Sequence, residues 1–328
     1  MAEYCVCKER KKEEKPMRDV YCETLMELAE KNRDILVFDA DLMNSVGLMP
    51  FAKAYPEQTF DCGIQEANMF GVAAGASTMG KIPFIHSFGT FASRRIVDQI
   101  FMSGGFARTN VRIMGSDPGV AAAYNGGTHM ALEDIGCLRS IPEITIIEPT
   151  DCAMLRDVVI QTAAMHGIFY IRLNRKDVCR IYEPGSTFEI GRSAHVRDGK
   201  DVTIIASGMM VEEALIAAEK LEKMGYQAAV ENMFTIKPVD REAIVRSAKE
   251  TGAIVTAENH NIIGGLGSAV AEVLVEEMPV PMERVGVKDH FGEVGSVSYL
   301  KEKFGLTSDE IVEKARKAIA RKRGEQCD

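Results

Sequence analysis

Short apolar runs alternate with longer stretches of helical periodicity along most of the chain. Residues 17–32 set Val20, Leu25, Leu28 and Ala29 at roughly helical spacing, which predicts an amphipathic helix. The run ILVF at 35–38 is the mark of a strand buried between helices. The alternation repeats, predicting strands at 59–63, 82–86, 111–115, 144–147 and 168–173, and helices at 65–79, 92–105 and 152–165. Residues 174–200 break the rhythm with Pro184, Gly185, Gly191 and Gly199. A second series follows, with strands at 202–206, 228–230, 253–256 and 284–287 and helices at 210–224, 240–250, 266–277 and 307–321. Such βα alternation implies sheets covered by helices on both faces. The expected fold class is therefore α/β, with two doubly wound domains and mostly parallel sheets. The expected divisions are a mobile charged arm over 1–16, a first domain over 17–175, a linker over 176–190 and a second domain over 191–328.

Length and composition agree with two cores, since the chain has 328 residues of which 46% are apolar. No apolar run approaches the roughly 20 residues that span a bilayer, so no membrane role is expected. A net charge of −9 repels phosphate backbones, so no nucleic acid partner is expected either. The first sixteen residues, MAEYCVCKERKKEEKP, mix both charges and lack the apolar stretch of a secretory leader. Of eight scattered cysteines only Cys5 and Cys7 lie close together, and no second pair follows at zinc spacing. They read as reduced thiols of a cytoplasmic protein.

In open parallel sheets ligands sit beyond the carboxyl ends of strands, which directs attention to the polar residues there. Four segments qualify. In the first, Asp61-Cys-Gly-Ile-Gln-Glu66-Ala-Asn68, Glu66 falls in the first turn of a helix, where a carboxylate also serves simply to complement the helix dipole. In the second, Ile85-His-Ser-Phe-Gly-Thr-Phe91, the terminal Phe91 is equally a core residue by type. The third runs from Gly115-Ser-Asp117-Pro-Gly119 to Tyr124-Asn125-Gly-Gly-Thr-His129, and glycine-rich loops of this length inside a domain are usually functional. The fourth, Arg172-Leu-Asn-Arg175-Lys176, is either an anion site or a solvated basic edge. Gly264-Gly-Leu-Gly267 lacks phosphate-loop spacing and is expected to lack a preceding strand, so close packing at a helix N-terminus explains it better. His260, near Glu258, reads as a structural hydrogen-bonding residue, and no Lys-Ser/Thr phosphate-loop motif supports nucleotide hydrolysis.

Taken in order, these pieces resemble one family. The run DCGIQEANMFGVAAG at 61–75, Gly89-Thr-Phe91 leading to Asp98-Gln99-Ile100, and Thr128-His129 followed by Glu133-Asp134 are similar to the pyrimidine-binding domain of transketolases. Residues 190–328, with Gly264-Gly-Leu-Gly267, resemble the C-terminal domain of the same enzymes. The N-terminal domain of that family carries a Gly-Asp-Gly signature for the diphosphate and Mg²⁺, and no Gly-Asp-Gly occurs here. The resemblance therefore implies the C-terminal subunit of a split transketolase, completed by a separate N-terminal subunit into an α2β2 assembly.

The same resemblance implies thiamine diphosphate as cofactor, with Mg²⁺ ligands supplied by the partner, and transfer of a two-carbon ketol unit between sugar phosphates or related anionic sugars. Glu66 matches the carboxylate that hydrogen-bonds the pyrimidine ring nitrogen, Phe91 the aromatic that stacks on that ring, and Ile64 a further cofactor contact. His129 matches a histidine at the reacting hydroxyls of the substrate. Arg18, Ser45 and Arg175 match residues that grip a sugar phosphate, and guanidinium forks suit such anions. Two positions depart from the pattern: Asp117 stands where a phosphate-contacting His is usual, and Asn125 where an Asp touching the C2 hydroxyl is usual. Either Asp117 turns away and pairs with an arginine such as Arg175, or it joins Asn125 in pointing to an uncommon sugar substrate. Two other readings are a β subunit of a 2-oxoacid dehydrogenase or decarboxylase, and a scaffold subunit that keeps only the fold.

Overall fold

The computed structural model describes residues 2–176 and 178–325. The first half contains β1 (Val6–Lys12), α1 (Met17–Lys31), β2 (Ile35–Asp39), α2 (Met49–Ala54), β3 (Thr59–Asp61), α3 (Glu66–Thr78) and β4 (Ile82–Phe88). It continues through α4 (Val97–Gln99), which opens into a π-helical stretch over Ile100–Phe106, then β5 (Val111–Ser116), α5 (Asp134–Arg139), β6 (Ile144–Ile147), α6 (Cys152–Ala164), β7 (Ile168–Leu173) and β8 (Cys179–Tyr182). The second half contains β9 (Ala194–Arg197), β10 (Val202–Ala206), α7 (Met210–Lys223), β11 (Ala228–Asn232), β12 (Thr235–Lys237) and α8 (Arg241–Thr251). It ends with β13 (Ile254–Asn261), α9 (Leu266–Glu277), β14 (Met282–Val287), α10 (Val297–Phe304) and α11 (Ser308–Arg323).

Two sheets organise these elements. The larger has the order β12-β6-β7-β5-β4-β2-β3 and is parallel except for β12. The smaller has the order β14-β13-β10-β11-β9, with β9 antiparallel at its edge. The interior strands β5 and β7 are buried at every position, as expected for strands covered on both faces. Helix ends are set by local chemistry: Asp151, Asp240, Ser296 and Thr307 each accept a backbone N–H as N-caps, while Gly252, Gly305 and Gly324 close helices in the left-handed conformation.

Three departures from the sequence expectation have physical causes. The first sixteen residues are not a mobile arm, because β1 pairs antiparallel with β8, which itself lies in the expected linker. The backbone supplies the pairing, Arg10 adds a bidentate contact to Glu219, and the buried Glu13 accepts from Cys152 N and Arg180. The helix expected over 92–105 is instead a short 3₁₀ turn, one α-turn and the π-helical stretch. Strand β12 leaves the second half to complete the edge of the first sheet, tying the two halves together.

Candidate active site

The carboxyl ends of β4, β5 and β7 and the start of α3 converge on one group of side chains. Glu66 opens α3 and is 2% exposed. Ser87 Oγ donates to its Oε1 at 2.8 Å, and Arg95 Nη1 lies 2.7 Å from Oε2. The Arg95 guanidinium also stacks over Phe91, 3.9 Å from the ring centroid. Phe91 and Phe88 each meet the His129 ring edge-on, at 5.2 Å. Glu66, Phe91 and His129 thus occupy one site. Ile64, in the turn before α3, is 69% exposed.

A second group lies on the other side of Phe88. Arg175 Cζ sits 5.1 Å from the Phe88 ring centroid. Arg175 Nη1 and Arg18 Nη1 both donate to the Ser45 carbonyl at 3.1 Å, so helix α1 and the turn after β7 bring two guanidiniums to one point. Arg175 Nη2 makes an ion-pair contact with Asp117, which is fully buried. Apart from that ion pair, neither carboxylate oxygen of Asp117 has a hydrogen-bonding partner among the described residues, and Arg175 Nε has none. Arg18, Ser45, Asp117 and Arg175 are therefore one cluster. Asn125 is exposed, and its side chain makes no hydrogen bond among the described residues.

The loop carrying His129 is held under strain and from both halves. Asp117, Gly119, Ala123 and Gly126 all have positive φ, and Ala123 at φ 48° and ψ −118° is the most unusual. Strain of this kind persists only where surrounding structure over-determines it. Here Asn259 of β13 supplies that structure, accepting from Val120 N and donating to the Pro118 carbonyl, each at 2.9 Å. A Cβ at Gly119 would meet Asn259 Oδ1 at 2.2 Å, so glycine is required there. Below the loop, Arg172 is fully buried rather than anion-facing. Its Nε donates to Asp134 at 2.9 Å, Nη1 to Glu148 at 2.6 Å and Nη2 to the Asn259 carbonyl at 3.1 Å, while Ser207 of the second half donates to Glu148 at 2.6 Å.

The glycines at 264–267 do follow a strand, β13, contrary to expectation. They nevertheless hold no space for a phosphate. Glu258 fills the N-terminus of α9, accepting from Leu266 N at 2.6 Å and Gly267 N at 2.9 Å. Burial pushes its carboxyl up to about 7, against the lowering effect of those two N–H donors. His260 is also fully buried, with burial pushing it down to about 4.

The residues present suit the pyrimidine half of thiamine diphosphate. A flat group stacked on Phe91 reaches Glu66 with its edge, as the Arg95 guanidinium does here. Among the described residues no group of three or more His, Cys, Asp or Glu is placed to hold a metal ion. No helix among them is long and apolar enough to cross a membrane, and their seven cysteines are all free. Sequence reading missed Arg95 and Asn259, whose roles depend on contacts across the fold, and Ser87 and Phe88, which lay unassigned inside the quoted 85–91 segment.

Comparisons with known proteins identify the family. The transketolase pyrimidine-binding domain model matches residues 13–180, and the transketolase C-terminal domain model matches 191–311. A 6-deoxy-6-sulfo-D-fructose transketolase subunit from Clostridium sp. (strain MSTE9) is 52% identical over 96% of this chain and 98% of its own. A putative transketolase C-terminal section from Methanocaldococcus jannaschii is 41% identical over 92% of this chain and 95% of its own. Among solved structures, a split-gene transketolase crystallised as an inactive β4 tetramer superposes with a TM-score of 0.88 at 45% identity, covering 94% of this chain and 99% of that one. The transketolase from Leishmania mexicana shares the fold at a TM-score of 0.78 and 20% identity, covering 98% of this chain but 46% of the longer one. The chain belongs to the transketolase family and carries its pyrimidine-binding and C-terminal domains.

Proposed function

We propose that the chain is the C-terminal subunit of a split transketolase, transferring a two-carbon ketol unit from an anionic ketose to an aldose with thiamine diphosphate. The observation that carries this reading is the grouping of Glu66, Phe91 and His129 beside the Arg18–Arg175 pair. When bound, the cofactor supplies carbanion chemistry that side chains lack. Glu66 holds a proton against the pyrimidine ring nitrogen, and Phe91 fixes the plane of the ring once Arg95 withdraws from it. His129 contacts the reacting hydroxyls. Arg18 and Arg175 hold the anion at the far end of the sugar. The favoured donor is 6-deoxy-6-sulfo-D-fructose, by similarity to the Clostridium relative.

A separate N-terminal subunit completes the site and brings the diphosphate and Mg²⁺ ligands, in an α2β2 assembly. The surface that supports this is apolar and runs from the start of α3 along the helix. Ile64 precedes α3, Val72 and Met79 extend along and beyond it, and Phe101, Met102 and Phe106 come from the neighbouring π-helical stretch, all exposed by 40% or more. A Cβ at Gly71 or Gly75 would meet nothing within 4 Å, so these α3 glycines leave room for close approach by another chain. The test is to purify the chain with and without its partner subunit and assay ketol transfer from sulfonated and phosphorylated ketoses. Transfer that requires both subunits is expected. Transfer by neither preparation from any ketose overturns the reading.

A further inference from the structure

We propose that Asp117 sets the charge accepted by the anion pocket to one rather than two, and so selects a sulfonated ketose over its phosphorylated counterpart. This rests on the ketol-transfer reading above and adds the reason for its donor preference.

The pocket holds two guanidiniums, Arg18 and Arg175, brought together at the Ser45 carbonyl. Two such forks would suit a dianion. Asp117 changes the balance, because its fully buried carboxylate pairs with Arg175. The cluster is left with one net positive charge. A sulfonate carries one negative charge at every pH of interest and neutralises the cluster. A phosphate ester carries nearly two above its second pKa of about 6, leaving an uncompensated negative charge beside Asp117. Asp117 is fully buried, so its repulsion of an added negative charge is screened less than that of a surface carboxylate.

The groups facing the carboxylate support the count. Arg175 comes from the turn after β7 and Arg18 from α1, while His129 lies beyond Phe88 on the glycine-rich loop. Asp19, 3.6 Å from Arg18 Nε, is half-exposed and screened by solvent. The backbone around Asp117 reinforces its placement. Its N–H donates to the Leu173 carbonyl at 2.9 Å, and its φ of 53° is tolerated by Asp. The carboxylate is therefore anchored beside Arg175 rather than free to swing into solvent.

The experiment uses the chain assembled with its partner subunit and compares donor kcat/KM for 6-deoxy-6-sulfo-D-fructose and fructose 6-phosphate between pH 8 and pH 5.5. The sulfonate is a monoanion throughout and serves as the reference donor, so titrations remote from the anion cluster cancel in the ratio, while Asp39 of β2, pushed up to about 7 by burial, is controlled for by following the same profile in Asp117→Asn. The native ratio is expected to favour the sulfonate at pH 8 and to fall at least about fivefold by pH 5.5, as the phosphate becomes a monoanion. In Asp117→Asn the pH 8 preference is expected to drop by a similar factor or reverse, and its pH dependence to flatten. If Asp117→Asn does not fold, the native pH profile decides alone. A ratio that stays constant with pH in the native enzyme overturns charge selection while leaving ketol transfer standing. So does a native preference that survives Asp117→Asn unchanged. Absence of transfer from every ketose tested overturns the functional reading itself, and this inference with it.

Discussion

At the residue scale, Glu66 carries the most weight, and its surroundings make a clean test possible. Its carboxylate is buried and accepts from Ser87, while its ionic partner Arg95 is 43% exposed at the side chain and is free to turn to solvent when the charge at position 66 is removed. Gln fills the same volume and still accepts the hydroxyl of Ser87 through its amide oxygen. Glu66→Gln is therefore expected to leave the melting temperature of the assembled enzyme nearly unchanged while lowering kcat by roughly 10²–10⁴, the usual cost of losing an acid–base contact. Turnover within tenfold of native would remove Glu66 from its assigned role. Glu66, Phe91 and His129 were singled out in the sequence through the resemblance to transketolases, and the fold brings the three together. Arg95 was not, since nothing in its local sequence announces that it lies between Phe91 and Glu66. Asp117 stood out as a departure from the family pattern, and of its two expected outcomes the fold selects the pairing with Arg175.

At the scale of elements, periodicity found the buried strands and the long helices, because burial on both faces leaves apolar runs and amphipathic stripes that any window detects. It missed β1, β8, β9 and β12. These are edge strands whose pairing comes from the backbone, and β1 reads VCKERKK, the composition of a solvated loop. Arg172 shows the opposite failure: a cation at a strand end looked like an anion site, but it is an internal tie. It joins β7 to Asp134 at the start of α5, to Glu148 after β6 and to β13 of the second half. Removing it leaves two buried carboxylates without their cation, which costs about 3–5 kcal/mol. Arg172→Met is therefore expected to lower the melting temperature sharply. Arg156→Ala, which breaks a half-exposed pair with Glu27, is expected to cost less than about 1 kcal/mol. Equal shifts for the two variants in thermal melts would show that the Arg172 cluster is not the tie between the halves.

For the whole molecule, the site and the apolar surface beside it make one argument. In the proposed function the chain supplies a platform and a carboxylate for the pyrimidine, and the Arg18–Arg175 pair for the far anion. No cluster of three or more metal-ligating side chains accompanies them among the described residues. The exposed apolar residues run from Ile64, beside Glu66, along α3 and onto the π-helical stretch packed against it. A split-gene transketolase of the same fold is an inactive β4 tetramer. We accordingly expect this chain, purified alone, to self-associate, to bind thiamine diphosphate weakly and to transfer no ketol units. Adding the partner subunit should replace self-association with a mixed assembly, because closed oligomers bury one such surface only once. Light scattering follows the change in mass, and calorimetry follows cofactor binding with and without Mg²⁺. Micromolar, Mg²⁺-dependent binding by the isolated chain would mean that the diphosphate ligands are already here, and the split-subunit reading would fall.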